Sequence, residues 1–194
     1  MKKINLNPPP SPCVEVTLSA YADMQAIVAA CEIEVGWLAG CEKVGSIYRV
    51  TGPVMVPEQD CHGATTEISP EGLVKCYEGM SVDAANRIRC WGHSHVQMSV
   101  SPSVQDEETL EQLAGQAGDF FLSIIVNKAG EVYAGVIDWT VGWQFSDVPV
   151  RILWPETETD WAAEVAAKVK EKEIYAGSAR GFYRGLGLFD NYNR

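Results

Sequence analysis

The chain has 194 residues, 46% of them hydrophobic and 21% charged, which suits one domain with a sizeable core. A formal net charge of -11 and a pI near 4.7 set the surface against phosphate backbones, so nucleic acid is excluded as a general partner while basic proteins are not. No apolar run approaches the roughly 20 residues that span a bilayer, and the opening "MKKINLNPPPSP" has no apolar stretch behind its lysines, so a cytoplasmic chain is expected.

In chain order, residues 1-13 form a Pro-rich arm. "VEVTL" (14-18) alternates as a short strand. Met24, Ile27, Val28 and Cys31 recur at helical spacing, which predicts an amphipathic helix from about Ser19 to Cys31. "IEVGWLAG" (33-40) and "SIYRVTGPVMV" (46-56) read as hairpin strands across a turn at Val44 and Gly45. Residues 57-70 are loop-like, with a short strand expected at Ala64 to Ile68. Ser69 then caps a helix that opens on Pro70 and runs through "EGLVKCYEGM".

"RIRCWGHSH" (87-95) reads as a strand, "VQMSVSPS" as a loop, and "VQDEETLEQLAG" (104-115) as a helix with Leu110 and Leu113 on one side. "FFLSIIVNK" and "EVYAGVIDW" form a hairpin around Ala129 and Gly130. "VPVRILW" is a further strand, and Trp161, Val165 and Val169 mark a helix in "TDWAAEVAAKVKEK". Tyr175 to Arg194, rich in glycine and aromatics, has no assigned element. Helices interleaved with strands predict an α/β domain over 14-154, a mixed sheet flanked by helices, with 155-194 as a C-terminal helix and tail.

The six cysteines contain no CxxC pair and read as free thiols. Cys61 beside His62 is only a weak metal-binding fragment. A stronger pattern lies in "WGHSHVQMSVSPSVQDEETL". Two of the three histidines, His93 and His95, stand at i and i+2, so on a strand both point to one face. The loop after them can return the start of the next helix over the strand end, where Asp106 offers a third ligand. Two imidazoles and a carboxylate make a three-ligand zinc site with a position left open for water, the catalytic arrangement. The same residues also read as a capping box, with Ser103 at the N-cap and the acid three residues on.

"HSHVQMSVSPSVQD" fits the signature of the JAMM (MPN-plus) zinc metalloproteases: HxH, seven residues, Ser, two residues, Asp. "EVGWLAG", "GATTEISPE", "WGHSHVQMSV" and "FFLSIIVNKAGE" resemble the stand-alone prokaryotic and phage-associated JAB proteins of that family, over roughly residues 14-140. The resemblance implies a JAMM/MPN-like (cytidine-deaminase-like) fold, zinc on His93, His95 and Asp106, and a zinc-bound water activated by a glutamate. Ser103 would help hold that water and the developing oxyanion. Glu34 is the expected acid/base. It stands two residues before Gly36, whereas the commoner family pattern has three. Glu32, on the same face if the segment is a strand, is its rival, and Glu67 is a third candidate. An edge-strand charge is the structural alternative for Glu34.

The activity the resemblance implies is hydrolysis of a peptide or isopeptide bond in a protein substrate with an extended C-terminal tail of the ubiquitin-like kind or in a protein precursor. Residues 57-70 would be a flap over the groove. The alternative is a non-enzymatic MPN-like scaffold subunit, with the aromatic tail as a docking segment. A zinc deaminase is disfavoured, because the chain has neither HxE nor a later PCxxC.

Overall fold

The computed structural model describes residues 11-62, 65-155 and 160-169. The chain divides after Pro155 into two compact units. The first carries a mixed α/β fold built on an eight-stranded sheet. Its strands are β1 (Cys13–Thr17), β2 (Gly36–Val44), β3 (Ile47–Met55), β6 (Ile88–Ser94), β7 (Phe120–Val126), β8 (Val132–Asp138), β9 (Trp143–Phe145) and β10 (Val150–Leu153). A separate hairpin pairs β4 (Gln59–His62) with β5 (Thr65–Ile68). The helices of this unit are α1 (Leu18–Ala30), α2 (Pro70–Tyr77), α3 (Val82–Ala85) and α4 (Val104–Ala117). In the second unit α5 (Trp161–Lys168) is capped by Asp160, whose carboxylate accepts from Ala163 N at 3.0 Å.

The order across the sheet is β10-β1-β3-β2-β6-β7-β8-β9. Hairpins make β2–β3 and β7–β8 antiparallel, whereas β6 and β7, joined through α4, run parallel. Alternation divides the core between the two faces. Trp37, Ala39, Leu122, Ile124 and Val126 pack on one face with Ala20, Met24 and Val28 of α1. Leu38, Trp91, Phe121 and Ile137 pack on the other with Leu110 and Ala114 of α4. The central strand β6 is therefore covered on both sides. Gly92 is required there, because the Trp37 indole crosses it: a Cβ at Gly92 would lie 2.3 Å from Trp37 Nε1.

Polar contacts hold the sheet's curl. Asp138 on β8 is fully buried and meets Lys43 Nζ of β2 at 2.5 Å, Thr140 Oγ1 at 2.6 Å and the Tyr48 hydroxyl of β3. Since β6 and β7 lie between β2 and β8 in the sheet order, these contacts require the sheet to bend round on itself. Burial alone would raise the Asp138 pKa, but the hydrogen bonds from Lys43, Thr140 and Tyr48 outweigh it and lower the pKa.

Several expectations need correction. The strand foreseen at 33-40 begins only at Gly36, and residues 31-35 are bends and irregular chain, so Glu32 and Glu34 do not share a strand face. The turn falls on Gly45 and Ser46, with Val44 paired to Ile47. The helix from Pro70 ends at Tyr77 instead of running to Met80. β4, α3 and β9 were not foreseen. Residues 1-10, the 175-194 tail and the side chains of His62, Glu67 and Trp161 lie outside the described residues. Among the described residues no helix is long and apolar enough to cross a membrane.

At the other sheet margin Glu15 stands opposite Arg49 on β3 and Arg151 on β10. It is buried, and its carboxylate accepts from Arg49 Nη2 at 2.7 Å and Arg151 Nη2 at 2.6 Å. The Arg49 hydrogen bond is the main cause of its lowered pKa. A carboxylate with a depressed folded pKa stabilises the fold above its unfolded pKa, about 4.3, and loses that contribution as pH falls through the folded value. Glu15→Gln should therefore destabilise the protein at pH 7, with the deficit shrinking in acid. Urea unfolding across that range checks it, and a pH-independent deficit would assign the loss to packing.

Candidate metal centre

β6 ends at Ser94, and His95 continues its line by donating its backbone N–H to Val126 O at 3.0 Å. Both imidazoles are buried on the α4 side, with His93 stacked on Trp91 at 4.6 Å between ring centres. Their Nε2 atoms are 3.1 Å apart. Asp106 Oδ1 lies 3.2 Å from His93 Nε2, and Asp106 Oδ2 lies 3.8 Å from His95 Nε2. His93, His95 and Asp106 thus offer ligand atoms all within 4.8 Å of one another. Ligands about 2.0–2.2 Å from a tetrahedral ion lie about 3.3–3.6 Å apart, so the side-chain separations suit a divalent ion of zinc's size.

The donor chemistry agrees. The Ser99 carbonyl, 2.6 Å from His95 Nδ1, can only accept, so the ring proton sits on Nδ1 and leaves the Nε2 lone pair facing the cluster. Among the described residues His93 Nδ1 is buried without a hydrogen-bond partner, and the ring is stacked on Trp91. The loop carries backbone strain at one residue. Val96 adopts φ 47, a left-handed conformation that a β-branched residue rarely takes. Hydrogen bonds on either side secure it: Lys128 N to Val96 O and Met98 N to His95 O, both 2.7 Å. Asn127 Nδ2 adds a bond to Met98 O at 2.9 Å.

Asp106 enters through the N-terminus of α4. Ser103 is the N-cap: its hydroxyl accepts from Asp106 N at 3.2 Å and donates to Asp106 Oδ2 at 2.8 Å, and Ser103 N donates to the same oxygen at 2.7 Å. The capping box is formed through Oδ2, and Oδ1 is left facing His93 Nε2. Burial pushes the Asp106 pKa up, but the hydrogen bond and charge of His93, together with the two bonds from Ser103, hold it well below the usual carboxylate range. The Ser103 hydroxyl is committed to the cap, so donation to any other oxygen requires it to turn away from Oδ2.

Glu34 and Glu32 separate sharply. Glu34 is 4% exposed and lines a cavity of about 280 Å³ with His95, Met98, Ser99, Ser101, Ser103 and Asp106. Burial raises its pKa against the opposing pull of His93 and His95, while Asp106 adds to the rise. Glu32 is exposed and pairs with Lys128 at 2.8 Å. No cysteine is among the described residues that line this cavity. Sequence reasoning missed Ser94, whose hydroxyl accepts from Val35 N at 3.1 Å. Its place between two candidate ligands, facing the opposite side of the strand, was the available signal. Comparison with protein-family models and with curated proteins finds no match.

Two substitutions test the cap and the expected metal ligand separately. Ser103→Ala should cost about 1 kcal/mol of stability through loss of the N-cap while the protein retains zinc. Asp106→Asn should remove most bound zinc. Elemental analysis after dialysis against zinc, with urea unfolding on the same samples, reads both.

Proposed function

We propose that this protein is a zinc-dependent hydrolase of peptide or isopeptide bonds of the JAMM type, with His93, His95 and Asp106 as metal ligands and Glu34 as proton carrier. One observation carries the reading: segments far apart in sequence bring a three-ligand cluster and a buried glutamate to one cavity, which is lined by Glu34, His95 and Asp106. A capping box alone gives no reason for two buried imidazoles, and an edge-strand charge gives no reason for a glutamate that is 4% exposed.

A zinc ion in such a site supplies a Lewis acid and lowers the pKa of water to about 7. The chain's own residues supply the rest. His95 presents a lone pair because Ser99 holds its other nitrogen. Asp106 stays charged. Glu34, with a pKa raised by burial, can take a proton from water and return it to a leaving amine, so one side chain serves as base and then as acid. Ser103, once turned from its cap, has a hydroxyl available to a developing oxyanion. Ser99 and Ser101 line the same cavity and offer polar groups to the backbone of an extended substrate. The substrate class proposed is a protein with an extended C-terminal tail.

The test uses zinc-loaded protein and a panel of fluorogenic peptide amides with extended tails. The wild type should cleave members of the panel, and Glu34→Gln should lose about 10²–10⁴-fold in turnover while keeping its zinc. A zinc-loaded wild type inert toward the whole panel and toward isopeptide-linked protein conjugates would overturn the hydrolase reading in favour of the scaffold alternative.

A further inference from the structure

Glu34 precedes β2 in irregular chain, so no strand ladder places it. Two side chains do so. Val35 turns its backbone toward β6, where Ser94 Oγ accepts from Val35 N at 3.1 Å and Ser94 N donates to Val35 O at 2.9 Å. Backbone groups alternate in direction along an extended chain, so Gly36 turns its own groups to the opposite side. On that side β3 has already left, since its pairing with β2 stops at Leu38 and Met55. The Gly36 peptide groups are met there by Gln59, the first residue of β4. Gln59 Oε1 accepts from Gly36 N at 2.7 Å, and Gln59 Nε2 donates to Gly36 O at 2.9 Å. One carboxamide supplies the donor and the acceptor that a neighbouring strand would have supplied.

We infer that Gln59 is a positioning residue: its carboxamide clamps Gly36 and so fixes Glu34 against the His93–His95–Asp106 cluster. The inference rests on the reading of Glu34 as proton carrier. The amide's orientation is unambiguous, because an N–H faces its oxygen and a carbonyl faces its nitrogen. Nε2 makes a second bond, to Pro57 O at 2.9 Å, which anchors the side chain to its own loop. The hairpin that carries Gln59 has independent tethers at its outer side. Ser69 N donates to Glu58 O at 3.2 Å, and Lys75 pairs with Glu58 at 2.6 Å. Fastening of the hairpin and clamping of Gly36 can therefore be separated by mutation.

The experiment compares wild type, Gln59→Met, Gln59→Asn and Lys75→Met as full chains, each with and without zinc. Three quantities are read: amide hydrogen exchange at Val35 and Gly36, zinc content, and the carboxyl 13C resonance of Glu34, assigned with Glu34→Gln. Gln59→Met keeps the side chain's length without its amide, and Gln59→Asn keeps the amide but falls short of Gly36. Both should speed exchange at Gly36 by about tenfold, as loss of one hydrogen bond does. Both should keep zinc and weaken the response of the Glu34 resonance to it. Lys75→Met loosens the hairpin's outer tether and should change neither readout. On any amide substrate, kcat should fall with KM unchanged. Unchanged Gly36 exchange and an unchanged Glu34 resonance in either folded Gln59 variant would overturn the inference. If Gly36 exchange quickens while zinc leaves the Glu34 resonance unmoved even in wild type, the clamp is real and the proton-carrier reading of Glu34 is the part that fails. Loss of zinc in the Gln59 variants would also overturn it, by assigning the residue to the ligand cluster instead.

Discussion

The Asp106 carboxylate is the point on which the centre depends, because its two oxygens serve different masters. Oδ2 takes two hydrogen bonds from Ser103 and so completes the N-terminus of α4. Oδ1 faces His93 on β6. A helix start must satisfy free N–H groups, and an acid at its third position does so while the helix dipole favours its charge. The arrangement that begins the helix thereby delivers a negative charge to the end of a buried strand. Helix capping and the placement of Asp106 beside the two histidines are one structural event.

That strand is the other half of the constraint. β6 lies between antiparallel β2 and parallel β7, with Trp37 pressed onto Gly92 from one face and α4 packed on the other. Such a strand has little freedom to slide, since a shift of one residue would turn both imidazoles to the α1 side. The β7–β8 turn holds the loop beyond it through Asn127 and Lys128, and the left-handed Val96 is the local cost of turning the chain back so that Ser99 meets His95. Rigidity of this kind suits a centre whose ligands must keep fixed separations.

Glu34 sits on less regular ground. Its segment has no ladder of its own and is fastened by Ser94 from one side and Gln59 from the other. A buried carboxyl in that position has a raised pKa, whereas Asp106, a short distance away in the same cavity, has a lowered one. The two acids are driven apart by surroundings, not by residue type, and the division matches the roles proposed for them, a proton carrier and a charged ligand.

The sequence by itself determined the local elements and the cluster's members. Helical spacing of Met24 and Val28, the Ser69–Pro70 start, and the hairpin at Ala129–Gly130 are short-range signals, and each element stands close to where they put it. His93 and His95 at i and i+2, with Asp106 in a first helical turn, likewise follow from local geometry. Only the tertiary structure placed Glu34 in the cavity and Glu32 in solvent beside Lys128. Their separation depends on Val35 bonding to Ser94, a residue 59 positions away. It also decided the strand order, the parallel pairing of β10 with β1 and of β1 with β3, the curl held by Asp138, and the use of Gln59 as a substitute strand. The physical reason is common to all of these. They rest on hydrogen bonds and burial between segments distant in the chain, and periodicity reports only what a residue's near neighbours impose.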